Sequence, residues 1–120
     1  MLKKGHRLLK KEDFSALFAG GRHIRGNFIS LKILKNGLAY ARVGFVVGGK
    51  VAKKSTVRNL IKRRLRAIVH AFEDEIRGGV DVAVLPSAEI MHKNFKNIEK
   101  ETRGVFEKAR LLQNVRPWNL

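Results

Sequence analysis

Residues 53–66 read KKSTVRNLIKRRLR, and the rest of the chain is organised around them. The stretch holds seven basic residues (Lys53, Lys54, Arg58, Lys62, Arg63, Arg64 and Arg66) and no acid. Val57, Ile61, Leu65, Ile68, Val69, Phe72 and Ile76 follow one another at helical spacing. At about 100° per residue they share one stripe, with Leu60 at its margin. Asn59, Lys62, Arg63 and Arg66 fall on the opposite side, and Arg58 lies where the two faces meet. The spacing predicts a helix that buries one face and presents a cationic comb on the other. Ser55 or Thr56 is placed to cap its start, and Gly78-Gly79 to end it after Arg77.

A charge run is usually a solvated helix face, but such faces mix signs. Like charges four apart, as at Arg58, Lys62 and Arg66, cost roughly 0.2–0.5 kcal/mol per pair. A polyanion would supply the missing half of this comb. The whole chain leans the same way. It has 120 residues, a net charge of +16 and a pI near 11.1. No Asp or Glu occurs between Phe14 and Phe72, whereas thirteen Lys or Arg do. Strand-like and glycine-turn segments within that basic region favour nucleic acid over a membrane surface. Hydrophobic residues make up 44%, enough for one real core, so residues 1–120 read as a single domain. The absence of Cys excludes disulfides and thiolate metal sites. No apolar run is long enough to span a bilayer and no signal peptide is visible, which predicts a cytoplasmic protein.

Residues 1–11 form a basic lead-in whose apolar content is chiefly Leu2, Leu8 and Leu9. A short helix is expected over residues 12–19, with Glu12 and Asp13 in the first turn and Gly20-Gly21 stopping it. Phe14 and Phe18 share one of its faces; such a pair either packs in a core or offers a platform for unpaired bases. Residues 22–25 suit a short strand. Residues 27–34 suit another, with Ile29, Leu31 and Ile33 on one side and Phe28, Ser30 and Lys32 on the other. Asn36-Gly37 is a hairpin signal, so residues 39–47 should return beside that strand. Gly48-Gly49-Lys50 then links to the central helix. VDVAVL, residues 80–85, reads as a strand closed by Pro86, and a last helix is expected over residues 94–112 with mixed charge on its outer side. Residues 113–120, with Pro117 and Trp118, form a loose tail. The order is helix, two or three strands, helix, strand, helix: an α+β sandwich.

A protein nuclease gathers carboxylates around metal or pairs histidines to move protons. Here Glu73, Asp74 and Glu75 are adjacent on the expected helix and diverge. His6, His23, His70 and His92 are scattered, with no metal-binding spacing. The residues offer a binding surface and no catalytic centre.

VRNLIKRRLR resembles the Arg-Asn-Arg signature helix of the bacterial ribonuclease P protein subunit. The similarity runs over residues 2–112: LKKGHRLLKKEDFSALFAGG resembles that family's opening, RVGFVVGGKV its strand and loop before the signature helix, and DVAVLPS its last strand. Leu60 stands where the signature has its second Arg, and Gly48-Gly49-Lys50-Val51 replaces the usual Ser-Lys-Lys-Val. Recognition weight therefore shifts onto Arg58, Asn59, Lys62, Arg63 and Arg66, and the loop loses one cation.

The resemblance implies an αβββαβα two-layer sandwich, ribosomal-protein-S5-domain-2-like, with a left-handed crossover at the signature helix, against the usual rule. It also implies a protein cofactor of a catalytic RNA that removes the 5′ leader from precursor tRNA. Lys50, Lys53, Lys54, Arg58, Asn59, Lys62, Arg63 and Arg66 would face that RNA. Phe14 and Phe18, with Ile29 and Leu31 of the sheet, would line a cleft for the leader. The expected partners are the ribonuclease P RNA and the leader in a 1:1 complex, with no membrane, no cofactor on the protein, and Mg2+ serving the ribonucleoprotein. The alternative is a structural ribosomal RNA binder. A DNA-binding helix-turn-helix would need a helix shortly before the basic one, where a strand and a Gly-Gly loop are expected.

Overall fold

A computed structural model describes residue 7 and residues 10–113. Leu2, His6, Leu8 and Leu9 of the lead-in, and Pro117 and Trp118 of the tail, lie outside the described residues. The chain runs α1 (Lys11–Gly20), β1 (Arg22–Arg25), β2 (Ile29–Lys35), β3 (Arg42–Phe45), α2 (Ser55–His70), β4 (Val80–Pro86) and α3 (Phe95–Lys108). The predicted order of elements is the observed one.

The four strands form one mixed sheet in the order β1-β2-β4-β3. β2 is antiparallel to β1 and, over seven residue pairs, to β4; β3 runs parallel to β4 at the other edge. The β3–α2–β4 connection is thus a crossover between parallel neighbours. This arrangement overturns the hairpin expected at Asn36-Gly37, because β4 separates β2 from β3. The dipeptide does turn the chain: Gly37 has φ +71°, and the Asn36 side chain accepts from Leu38 N–H at 2.8 Å. The Asn36 amide also donates to Asp81 Oδ1 (2.8 Å), so the turn is tied to β4 rather than to a returning strand. The reason lies in β4 itself. Val82, Ala83 and Val84 are fully buried, and a strand apolar on both faces belongs in the middle of a sheet.

One face of the sheet carries the main core. Ile29, Leu31, Ile33, Val43, Phe45, Val82 and Val84 meet Ile61, Leu65, Ile68 and Val69 of α2 and Ile98, Val105 and Phe106 of α3. Phe28, just before β2, also joins this core and does not follow the alternation expected for it. Phe72 and Phe106 contact edge to face at 5.2 Å, worth about 0.5–1.5 kcal/mol beyond their burial. On the opposite face α1 covers a smaller patch, where Leu17 and Ala83 are buried with Phe14 and Leu34 against them.

The ends of the helices differ from expectation. α2 starts at Ser55 with Lys54 as its cap residue and no capping side chain, so neither Ser55 nor Thr56 caps it. α2 stops at His70, well before Gly78-Gly79; Phe72 is still buried, and Glu73–Glu75 form a single 3-10 turn. Gly78 serves another purpose: a Cβ there would lie 2.2 Å from the Ala39 carbonyl oxygen, where the chain passes the end of β4. α3 is capped by Asn94, whose side chain accepts from Asn97 N–H at 2.8 Å, and it ends at Lys108. Leu112, expected on that helix, instead bridges to Ile76.

Candidate nucleic-acid interface

The first surface is the outward side of α2. Lys50, Lys53, Lys54, Asn59 and Arg63 are exposed, and Lys62 is half-buried. Arg64, a basic residue of the same stretch that the predicted comb leaves out, is exposed as well. Among the described residues, no ion pair involves any cation at positions 50–66. The loop Gly48-Gly49 leading in is exposed, with open space around both glycines. Two of the predicted contacts have duties inside the fold. Arg58 donates from one guanidinium nitrogen to the Ala52 and Lys53 carbonyls, at 2.9 and 2.7 Å, and so fastens the loop that enters the helix. Arg66 lies over the Phe45 ring at 5.7 Å, and its Nε is buried without a hydrogen-bond partner. A flexible cation held over a ring in this way is partly structural.

The second surface is the part of the sheet that α1 leaves uncovered. Here the predicted residues separate. Phe18 is 44% exposed, whereas Phe14 is half-buried against the small apolar patch. Ile29 and Leu31 are fully buried and belong to the main core on the far side, so they do not line this face. The pleat explains the correction: neighbouring residues of a strand point to opposite faces. The residues of β2 on the face that carries α1 are therefore Ser30, Lys32 and Leu34, of which Leu34 packs with Leu17 and Phe14 of the helix. The register puts Arg25 opposite Ser30, His23 opposite Lys32, and Leu85 opposite Ser30 on the other side. His23 and Arg25 are exposed, and Ser30, Lys32 and Leu85 half-buried, so the face mixes apolar floor with basic edge. The alternation within ISLKILK was the signal that could have found Ser30 and Lys32.

One ion-pair network holds α1 above this face. Arg42 of β3 donates to both oxygens of Asp81 at 2.8 and 2.7 Å, and to Asp13 of α1 at 3.4 Å. Hydrogen bonding to Asp81 raises the Arg42 pKa more than burial lowers it. A raised value means that the stabilising charge is fully present below the ordinary arginine range and is lost only in stronger alkali. At neutral pH the clamp is intact. An acid inside VDVAVL was visible in the sequence as a lone charge in an apolar strand, but its partners, far away in the chain, were not.

Glu73, Asp74 and Glu75, expected on the long basic helix, lie instead past its end on a single 3-10 turn. Glu73 pairs with His70 at 3.0 Å, and Glu75 with Arg103 at 3.0 Å. Among the described residues, no group of three or more His, Asp or Glu is gathered to hold a metal ion. Nor is any described helix long and apolar enough to cross a membrane. α2 is preceded by a strand and a turn, which removes the helix-turn-helix reading.

The family model described as Ribonuclease P matches residues 2–110. A ribonuclease P protein component from Pseudanabaena sp. is 34% identical over 113 residues, covering 93% of this chain and 97% of the relative. The solved RNase P protein from Thermotoga maritima superposes with a TM-score of 0.76 at 29% identity, over 85% of this chain and 96% of that one. The RNase P protein of Staphylococcus aureus, at 21% identity, shares the fold with a TM-score of 0.83, over 92% of this chain and all of that one. Matched to the family along most of its length and folded like its solved members, the chain belongs to the ribonuclease P protein family.

Proposed function

We propose that this protein binds the catalytic RNA of ribonuclease P through the outward face of α2 and the 5′ leader of precursor tRNA through the uncovered sheet beside α1. Membership of the family makes the chain a component of a ribonucleoprotein enzyme of tRNA processing. The observation that carries the finer reading is the unpaired charge of α2: Lys62, Arg63 and Arg64 find no ion-pair partner among the described residues, and Lys62 stands four residues from both Arg58 and Arg66. Such an arrangement costs stability in the free protein and gains it back against phosphates, whose counterions are released on binding. Phe18, exposed on α1, and the basic residues His23, Arg25 and Lys32 of the sheet support the leader assignment, because single strands are held by stacking on aromatics together with basic contacts to the backbone.

Catalysis is assigned to the RNA. The described carboxylates are spent on Arg42, His70, Lys93, Arg103 and backbone N–H groups, or stand apart. In this scheme Mg2+ serves the RNA, and no step runs through a protein-bound ion. A cytoplasmic 1:1 complex completes the proposal. The test is reconstitution with the source organism's own ribonuclease P RNA at physiological magnesium. The chain should promote cleavage at the mature 5′ end and cleave nothing alone. Cleavage by RNA-free protein would move the chemistry to the protein, and no effect on the RNA would end the cofactor reading.

A further inference from the structure

Beside the cationic face of α2 lies an apolar groove of about 150 Å³. Buried Ile90 and Ile98 lie at its base, and exposed Leu60 and Met91 line it from two different elements. Val57, Ile61 and Leu65 of α2 also line it, with Arg64 and Lys93 as its charged members, and no carboxylate lines it. Single exposed apolar side chains are ordinary on a protein surface. Two that line one groove with a buried apolar floor, in a chain of net charge +16, are a different matter. The volume is below the roughly 300–1,000 Å³ of sites for drug-sized ligands, so the groove suits one small group.

We infer that this groove takes a single unpaired base of the RNA bound by α2, an inference that rests on the function proposed above. Leu60 sits one helical turn before Arg63 and Arg64, so a strand whose phosphates meet those two cations passes the mouth of the groove. RNA recognition turns unstacked bases out of the strand and lays them against flat or apolar side chains and guanidinium planes. Met91 is suited to this, because a thioether is adaptable and makes favourable contacts with aromatic rings. Lys93 is paired with Glu89 at 3.5 Å, but Arg64 has no ion-pair partner among the described residues and complements a polyanion, whereas a second copy of this strongly basic chain would bring like charge to the same place. Leu60, standing where the family signature has an Arg, thus has a use of its own as an apolar contact for the base.

The experiment compares the full-length chain with the double variant L60A/M91A and with Met91→Gln, which keeps the side chain's length. Affinity for the source organism's ribonuclease P RNA is measured across a salt series, with the melting temperature of each free protein. The double variant should bind roughly 5- to 100-fold more weakly, with an unchanged slope of log affinity against log salt, since no phosphate contact is removed. Met91→Gln should lose part of that affinity, also at constant slope, and melt like the parent. Unchanged affinity in both variants, while the parent binds tightly, would overturn the base-binding groove and leave the function of α2 standing. A reduced slope would assign the site to phosphate instead. Self-association of the free parent, abolished by L60A/M91A, would give the groove to a second copy. Failure of the parent itself to bind the RNA would overturn both readings.

Discussion

Helices α2 and α3 lie on the same face of the sheet and bury similar stripes, Ile61, Leu65, Ile68 and Val69 in one, Ile98, Thr102, Val105 and Phe106 in the other. Their charges are arranged quite differently. On α3, Glu101 accepts the N–H groups of Phe28 and Ile29 at 2.8 and 3.1 Å, so it fastens the turn into β2. Arg103 meets Glu75 and lies over Phe72, and Lys108 donates to the Arg25 carbonyl. α2 has no acid, and Lys62, Arg63 and Arg64 have no partner among the described residues. The difference teaches that a charge on a helix face says little by itself. What matters is whether its polar atoms are satisfied inside the fold, because a satisfied charge serves stability and an unsatisfied one is free for a partner.

The sharpest way to break this contrast is to remove a charge that is satisfied. Arg42→Ala would leave buried Asp81 with only the Asn36 amide and release α1 from the sheet. A loss of about 3 kcal/mol is expected, at the low end for breaking a buried pair because Arg42 keeps some exposure. Chemical denaturation reads this directly, and a loss near zero would mean that internal satisfaction does not identify structural charges.

A smaller effect separates the two phenylalanines of α1. Phe18→Ala should barely move the denaturation midpoint and should weaken the reconstituted enzyme for precursor tRNA by roughly 1–3 kcal/mol, leaving mature tRNA unaffected. Phe14→Ala should cost stability as well, though less than the roughly 3–5 kcal/mol of a fully buried Phe. Equal losses with precursor and mature tRNA for Phe18→Ala would remove it from the leader site.

The finest test lies within α2, between Arg63 and Arg66. Arg63→Ala should lower the salt dependence of RNA binding by about one phosphate contact and change stability by less than about 0.5 kcal/mol. Arg66→Ala should in addition cost about 0.5–1 kcal/mol of stability, because its guanidinium covers Phe45. Identical melting curves for the two variants would show that the contact over Phe45 carries no weight.

Much of this molecule could be read from local pattern. The stripe through Ile61, Leu65, Ile68, Val69 and Phe72 is buried as its spacing required, and the cations of residues 53–66 form no ion pair among the described residues. The elements appear in the predicted order because each rests on a period or a turn residue contained within a few positions. The same locality set the limit. Asn36-Gly37 can turn the chain, but it carries no information about the strand that arrives forty residues later, roughly, and inserts beside β2. The pleat separated Ile29 and Leu31 from Ser30 and Lys32, yet not which of the two faces would receive the larger helical layer. Arg58, Arg66 and Arg42 look alike as letters; only their neighbours in space make the first a loop fastener, the second a cover for Phe45 and the third a clamp on α1. The sequence by itself determined the elements, the charged face and the family, since these depend on spacing along the chain. Strand order, the identity of the uncovered face and the division of cations between fold and partner were decided by tertiary structure, because each depends on contacts between segments far apart in the chain.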